Sequence, residues 1–276
     1  MPDLNDLNSA TLFGGMSILV ALRYTFVAGL AWLLAYVWFR RRWHHRKIVQ
    51  KAPLHADVRR EILHSARTVF IFALVGLATI WAARQGWTRL YLDLHAHSWS
   101  WFFSSIGLTI FLHDAWFYWT HRVMHHRKLF RFFHRTHHLS NNPTPWAAYA
   151  FSPAEAVVQA SILPIAVVTM PLHPLAFGIF LTWQLVFNVI GHTGYEYTPS
   201  WFMKTPLRYF INTPTNHAMH HESMRGNFGL YFNFWDRLMM TNHEDYEMRF
   251  VEVTTRERGG VVSGGEREMD VGRSPD

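Results

Sequence analysis

The sequence predicts an all-α integral membrane protein: four to five transmembrane helices with a cytoplasmic helical cap carrying a histidine-rich dimetal site. Three observations lead there: long apolar runs, basic residues confined to alternate connections, and histidines gathered in spaced groups. Half of the 276 residues are hydrophobic and only 16% are charged, against roughly 25% in an average soluble domain. The absence of cysteine excludes disulfides, thiolate zinc sites, iron–sulfur clusters and cysteine nucleophiles. A net charge of +7 is a footprint shared with nucleic-acid-binding proteins. Apolar runs of membrane length argue against that class, and no nucleic-acid partner is expected. Histidine, at 19 residues, equals Asp plus Glu in number.

Residues 11–39 are nearly all apolar, broken only by Arg23 and a few small polar residues. About 20 such residues cross about 30 Å of hydrocarbon, so one span is expected here. The run is too long for a signal peptide and has no basic region before it. Further apolar stretches occupy 68–83, 101–119, 154–170 and 175–191, the last two separated only by Pro171, Leu172, His173 and Pro174, as in a tight helical hairpin. Lys and Arg number 9 in residues 40–67, 5 in 122–135 and 9 in 204–273. The opposite connections hold only Arg84 and Arg89, and Arg23 lies within the first run. The positive-inside rule therefore puts the N-terminus outside and the basic segments in the cytoplasm, across a bacterial inner membrane or the endoplasmic reticulum. Residues 252–276, rich in Gly, Arg, Glu and Ser, read as a disordered tail. They leave 1–251 as a single membrane-embedded domain.

The histidines form three groups: His121 and His125 as HxxxH, then His134, His137 and His138, then His217, His220 and His221, the last two both HxxHH. Positions i, i+3 and i+4 share one helix face, so each group is expected to aim its imidazoles in one direction. Neutral imidazole is the commonest protein metal ligand. A tetrahedral ion needs only four ligands, so eight histidines can hold more than one. Two metals, iron in preference, are the natural count. Asp114, Tyr118, His121 and His125 fall on one helical stripe, and an acid at membrane depth is a functional candidate by default. Asp114 is expected to accept the N–H of a ligand histidine and fix its tautomer. His113 lies about 80° round that helix from His121 and is a weaker candidate. His126 reads as a surface residue, and His243 has no assigned role.

Other metal chemistries fail on the same residues. A zinc protease needs HExxH, but the run from His221 and Glu222 ends in Arg225. Carboxylate di-iron proteins use paired ExxH motifs. Here only Glu61 and His64 have that form, and they read as the polar face of the helix entering the second span.

Residues 111–241 resemble the fatty acid hydroxylase/sterol desaturase superfamily of membrane non-haem di-iron enzymes. Asp114, Tyr118, Trp119, His121, Arg122 and His125 are similar to that family's helix D-x-x-x-Y-W-x-H-R-x-x-H, and the two HxxHH runs resemble its later boxes. The segment from Thr144 through Pro145, Trp146, Tyr149, Phe151 and Ser152 to Glu155 resembles its link into the helical hairpin. Asn227, Phe228 and Gly229, with Trp235, Asp236, Arg237 and Leu238, resemble its sequel to the third box. Two departures occur. Met240 stands where the family commonly has glycine before Thr241, and Ser152 stands where sterol desaturases often carry histidine.

The resemblance implies a spanning stalk with a cytosolic cap and a ninth ligand, His192, the intermediate histidine many members use. It further implies two irons on His121, His125, His134, His137, His138, His192, His217, His220 and His221, with zinc as a possible substitute. The implied activity is O2-dependent hydroxylation or desaturation of a lipid C–H bond, with electrons from a separate donor protein. A non-catalytic membrane metal transporter or sensor, and a family member with a structural zinc site, stay open as alternatives.

Overall fold

A computed structural model describes residues 8–257. The order is α1 (Ser9–Trp32), α2 (Arg40–Trp43), α3 (His55–Arg84), α4 (Trp99–Met124), α5 (Phe130–Phe133), α6 (Pro153–Ala160), α7 (Ile162–Thr169), α8 (Pro174–His192), α9 (Pro214–Ser223), α10 (Phe234–Leu238) and α11 (Tyr246–Thr255). Among the described residues there is no strand, only two isolated bridges, Lys47 with Tyr195 and Leu90 with Leu172.

Local chemistry sets the helix starts. The Asn8 side chain accepts from the Thr11 N–H and Ser98 from Trp101, satisfying amides that have no partner within their helices. Pro153, Pro174 and Pro214 open α6, α8 and α9, where a missing N–H costs nothing. By length and composition three helices suit a membrane crossing: Ser9–Trp38 (α1 and the π-helical turn continuing it), α3 and α8. Four to five were expected. With 26 residues α4 is long enough, but its aromatic residues, His113 and Asp114 lower its hydropathy. The expected 154–170 span is two short helices broken at Ser161, whose hydroxyl donates to the Val158 carbonyl. Outward residues such as Phe26 and Phe103, 70% and 65% exposed, suit a lipid surround rather than water.

One end of the bundle is tied across its helices. Ile48 N–H donates to the Gly194 carbonyl and Glu196 N–H to that of Arg46, the Tyr36 hydroxyl donates to the Thr193 carbonyl, and Arg60 donates to the Leu139 carbonyl. The chain leaving α1 is thereby tied to that leaving α8, and the N-terminal end of α3 to the turn at Leu139. A core of Tyr24, Ala28, Tyr149, Phe151, Leu185 and Val189 lies beneath this end, and a second one, including Phe102, Ile162, Phe177 and Phe180, fills the bundle between α4, α7 and α8.

Two expectations are corrected here. Glu61 is not on a polar face; it is fully buried and its carboxylate accepts from the Thr144 hydroxyl, joining α3 to the segment before α6. The fold also continues past residue 251. Helix α11 ends at Thr255, because Val253 and Thr254 bury their side chains. Of the expected tail, 258–276 lie outside the described residues.

Candidate metal centre

Helix α9 is the clearest sign of a built site. It is polar, yet Pro214 through His221 are all buried, and buried polar groups cost free energy unless they are partnered. The partners are other imidazoles. His121 and His125 come from the C-terminal end of α4, His192 from that of α8 and His134 from just beyond α5. His137 and His138 lie on a 3-10 turn spanning His137–Leu139.

All nine histidines meet in two groups whose ring nitrogens converge closely enough to hold one ion each: His121, His125, His134, His138 and His220 in the first, His137, His192, His217 and His221 in the second. The groups adjoin, with the rings of His138 and His221 5.0 Å apart. His113, His126 and His243 belong to neither group. His126 is exposed, and His113 pairs with the Tyr231 hydroxyl at 2.8 Å.

The expectation that each sequence group aims in one direction holds for His121 and His125, both in the first group, and is corrected for the two HxxHH runs. His134 and His138 join the first group while His137 joins the second, since consecutive residues on a tight turn point apart. Within α9, His217 and His221 are one turn apart and share the second group, whereas His220 faces the first. The boxes are therefore divided between the two groups.

Hydrogen bonds behind the rings set their tautomers. Nδ1 of His121 faces the Phe228 carbonyl at 2.8 Å, that of His220 the Gly226 carbonyl at 2.7 Å and that of His192 the Asn188 carbonyl at 2.8 Å. Nδ1 of His134 faces Oε1 of Glu155 at 2.7 Å. The three carbonyl oxygens can only accept, and Glu155 accepts as its carboxylate, so with that form each Nδ1 carries the proton and each Nε2 presents a lone pair. Burial, reinforced by neighbouring imidazoles, holds His134, His137, His138, His217, His220 and His221 well below the ordinary histidine range. Burial also brings His125 down to about 4. The rings are neutral.

Yet Nε2 of His121 and Nε2 of His134, both unprotonated by this reckoning, stand 2.9 Å apart. Comparable contacts of 3.0 to 3.3 Å join His138 to His125 and His220, and link His192, His217, His221 and His137. Lone pairs facing each other at this distance repel unless a cation lies between them. With metal–nitrogen bonds of about 2.1 Å, neighbouring ligands sit about 3.0 to 3.4 Å apart in octahedral or tetrahedral geometry. The donor set fits a metal in each group.

Asp114 does not touch either group; its Oδ1 accepts from the backbone N–H groups of Tyr231 and Phe232 at 2.8 and 3.3 Å. The stripe it shares with Tyr118 and His121 faces residues 226–241. Tyr118 meets the Thr241 hydroxyl at 2.9 Å, and Asp236 accepts from the Phe228 and Gly229 N–H groups and from Thr241. Asp114 thus holds the segment that supplies the Phe228 and Gly226 carbonyls. Asp114→Ala leaves two backbone donors unpaired, which costs about 1–3 kcal/mol each. The variant should unfold at a lower temperature in detergent while retaining its histidine groups.

Glu155 takes the role expected of Asp114. The signal was available, since an acid in an apolar hairpin is as costly as Asp114 in its helix. Ser152 places it: its hydroxyl donates to the Phe133 carbonyl at 2.6 Å and its oxygen accepts from Glu155 N–H. The backbone oxygens behind His121, His192 and His220 carry no sequence signal. Gly226 (φ 65°) aims its carbonyl at His220 from a left-handed turn, and a Cβ there would collide with the Thr241 carbonyl oxygen. Met240 also has a left-handed backbone, φ 52°, a conformation that glycine adopts at less cost.

The fatty acid hydroxylase family model matches residues 106–241. A Delta(7)-sterol 5(6)-desaturase of Gibberella zeae is 29% identical over 216 residues, covering 77% of this chain and 64% of its own length. The chain belongs to the fatty acid hydroxylase/sterol desaturase superfamily. Within it, the lathosterol oxidase of Rattus norvegicus is 28% identical over 78% of this chain and 69% of its own. A very-long-chain aldehyde decarbonylase of Oryza sativa subsp. indica is 30% identical over 55% of this chain but only 26% of its own. The match to the fungal desaturase thus spans less than two thirds of that protein. No solved structure matches the chain.

Proposed function

We propose that this chain is a membrane lipid oxidase that holds two iron ions, one in each histidine group, and hydroxylates or desaturates a C–H bond of a membrane lipid. The observation that carries this reading is the pair His121 and His134, whose lone pairs face each other at 2.9 Å. The named activities of the relatives, sterol desaturation and lathosterol oxidation, support an oxidation of this kind. When bound, the irons would supply the oxidising power, drawn from O2 and electrons from a separate donor protein.

The chain's own residues hold and orient. Glu155 keeps the His134 ring turned inward, and the carbonyls of Phe228, Gly226 and Asn188 do the same for His121, His220 and His192. Phe117 and Phe151, which line a cavity inside the bundle, pack 5.0 and 5.3 Å from the rings of His121 and His137. They form the wall against which a lipid's reacting carbon would lie and from which water is excluded. The basic connections support a reading in which the metal end lies on the cytoplasmic side, α4 is a further span and residues 200–255 belong to the cap. A transporter reading has less support, because the cavity is lined mainly by aliphatic and aromatic side chains.

The test compares lipid extracts of cells with and without the gene by mass spectrometry. A species gaining one oxygen, or losing two hydrogens, is the expected result. Unchanged lipids on expression of iron-loaded protein would remove the reading.

A further inference from the structure

The cavity inside the bundle has a volume of about 1490 Å3, larger than the roughly 300–1,000 Å3 of pockets that take drug-sized molecules. Helix α8 serves as a ruler along it: Pro174, Phe177, Leu181, Gln184 and Asn188 all line it, and His192 follows one turn after Asn188. At 1.5 Å per residue, Gln184 lies about 12 Å and Pro174 about 27 Å from His192 along the axis. The outer reach is mostly apolar, with Thr79, Arg84, Thr88 and His173 as its polar members. The inner reach holds a band of polar side chains, Arg23, Tyr149, Gln159, Gln184, Asn188 and His113.

Most of that band is committed to protein partners. Asn188 donates to the Ala148 carbonyl, His113 pairs with Tyr231, and the Tyr149 hydroxyl donates to Gln184. Two groups are not. Nε2 of Gln159, a residue 8% exposed, and Nε of Arg23 are buried without a hydrogen-bond partner. Arg23 touches the Tyr149 hydroxyl, and among the described residues no carboxylate forms an ion pair with it. A guanidinium and an amide N–H2 are donors, and a half-buried guanidinium whose Nε is shut off from water lacks a partner that an anion would supply. What completes the band is a negatively charged oxygen acceptor, which a guanidinium binds two-pronged.

We propose that Arg23, with Gln159, recognises the carboxylate of a long-chain amphiphile inside the cavity, and that this contact sets which carbon lies against Phe117 and Phe151. The inference rests on the lipid-oxidase reading and names the chemistry of its substrate. Arg23 here is a specificity-determining residue, not a catalytic one.

The test measures binding of radiolabelled palmitic acid, methyl palmitate, hexadecane and cholesterol to the metal-free full chain in nanodiscs. Wild type should prefer the acid to its methyl ester by about ten-fold or more. Arg23→Met should erase that preference while hexadecane binding is unchanged. It should also leave unliganded thermal stability close to wild type, because the half-buried guanidinium has no carboxylate partner to lose. Arg23→Lys keeps the charge and should keep part of the preference. Gln159→Leu should weaken acid binding alone and gives a second reading should Arg23→Met not fold.

Equal binding of acid and ester by wild type overturns the proposal. So does a preference for cholesterol, a preference that survives in Arg23→Met, or one lost instead in Arg84→Gln, at the outer reach of the cavity. Because no metal is present, the result stands apart from turnover: failure to oxidise any lipid would remove the parent reading and leave the binding comparison intact.

Discussion

Protein purified with His138→Ala or His220→Ala should hold one iron per chain instead of two and oxidise no lipid. His138 is central to the first group, its Nε2 lying 3.2 Å from that of His125 and 3.0 Å from that of His220. Removing it opens one side of that group and leaves the second untouched. His192→Ala should do the reverse. His192 contacts His137, His217 and His221 at 3.2, 3.0 and 3.3 Å, so its loss removes the one ring whose Nε2 touches those of the other three. His126→Ala, at an exposed position on the same segment, is the control and should retain both irons. Iron counted per chain distinguishes these outcomes. Loss of both irons in every variant would mean one shared site rather than two groups, and full activity in either first-group variant would remove the assignment.

Glu155→Ala should weaken iron binding in the first group by about 10–100-fold, the usual effect of losing the acceptor behind a ligating histidine. The cause is local. Without Oε1 the His134 Nδ1 proton has no acceptor, the ring is free to take the other tautomer, and Nε2 no longer offers its lone pair. Glu155→Gln keeps an acceptor oxygen but not the charge, and should fall between alanine and wild type. Titration with a competing chelator measures both. An affinity unchanged in Glu155→Ala would show that the 2.7 Å contact orients nothing.

How far the sequence could be read follows from the reach of each signal. Eight of the histidines were legible because metal-ligand spacing is a short-range pattern, His192 was named only through the family resemblance, and all nine do converge. Their division was not, since it depends on the 3-10 turn at His137–Leu139 and on which faces of α9 meet α4 and α8. Asp114 was correctly singled out as a buried acid. Its partner was missed because the backbone of Tyr231 and Phe232 lies more than a hundred residues away. Glu155 escaped although its signal was local: as one acid in the apolar run 154–170 it was read as part of the hairpin and not as a costly buried group. Helices suited to a membrane crossing were legible where aliphatic residues dominate, in α1, α3 and α8; the apolar run in α4 was read as well, but its aromatic side chains and two buried polar groups blur the pattern. The helical extension to Thr255 depends on Val253 packing with Ile48 and Ala218, a contact between distant segments that composition cannot announce.

The central claim, oxidation of a lipid C–H bond at paired histidine-bound irons, is tested most directly by one turnover under isotopic dioxygen. Chain loaded with two irons is reduced in the presence of host lipid extract, exposed to 18O2 and analysed by mass spectrometry. The expected result is a lipid carrying one 18O atom, or one that has lost two hydrogens, formed in proportion to the protein and absent with His138→Ala. No change in any lipid, from protein shown to hold both irons in reduced form, would contradict it.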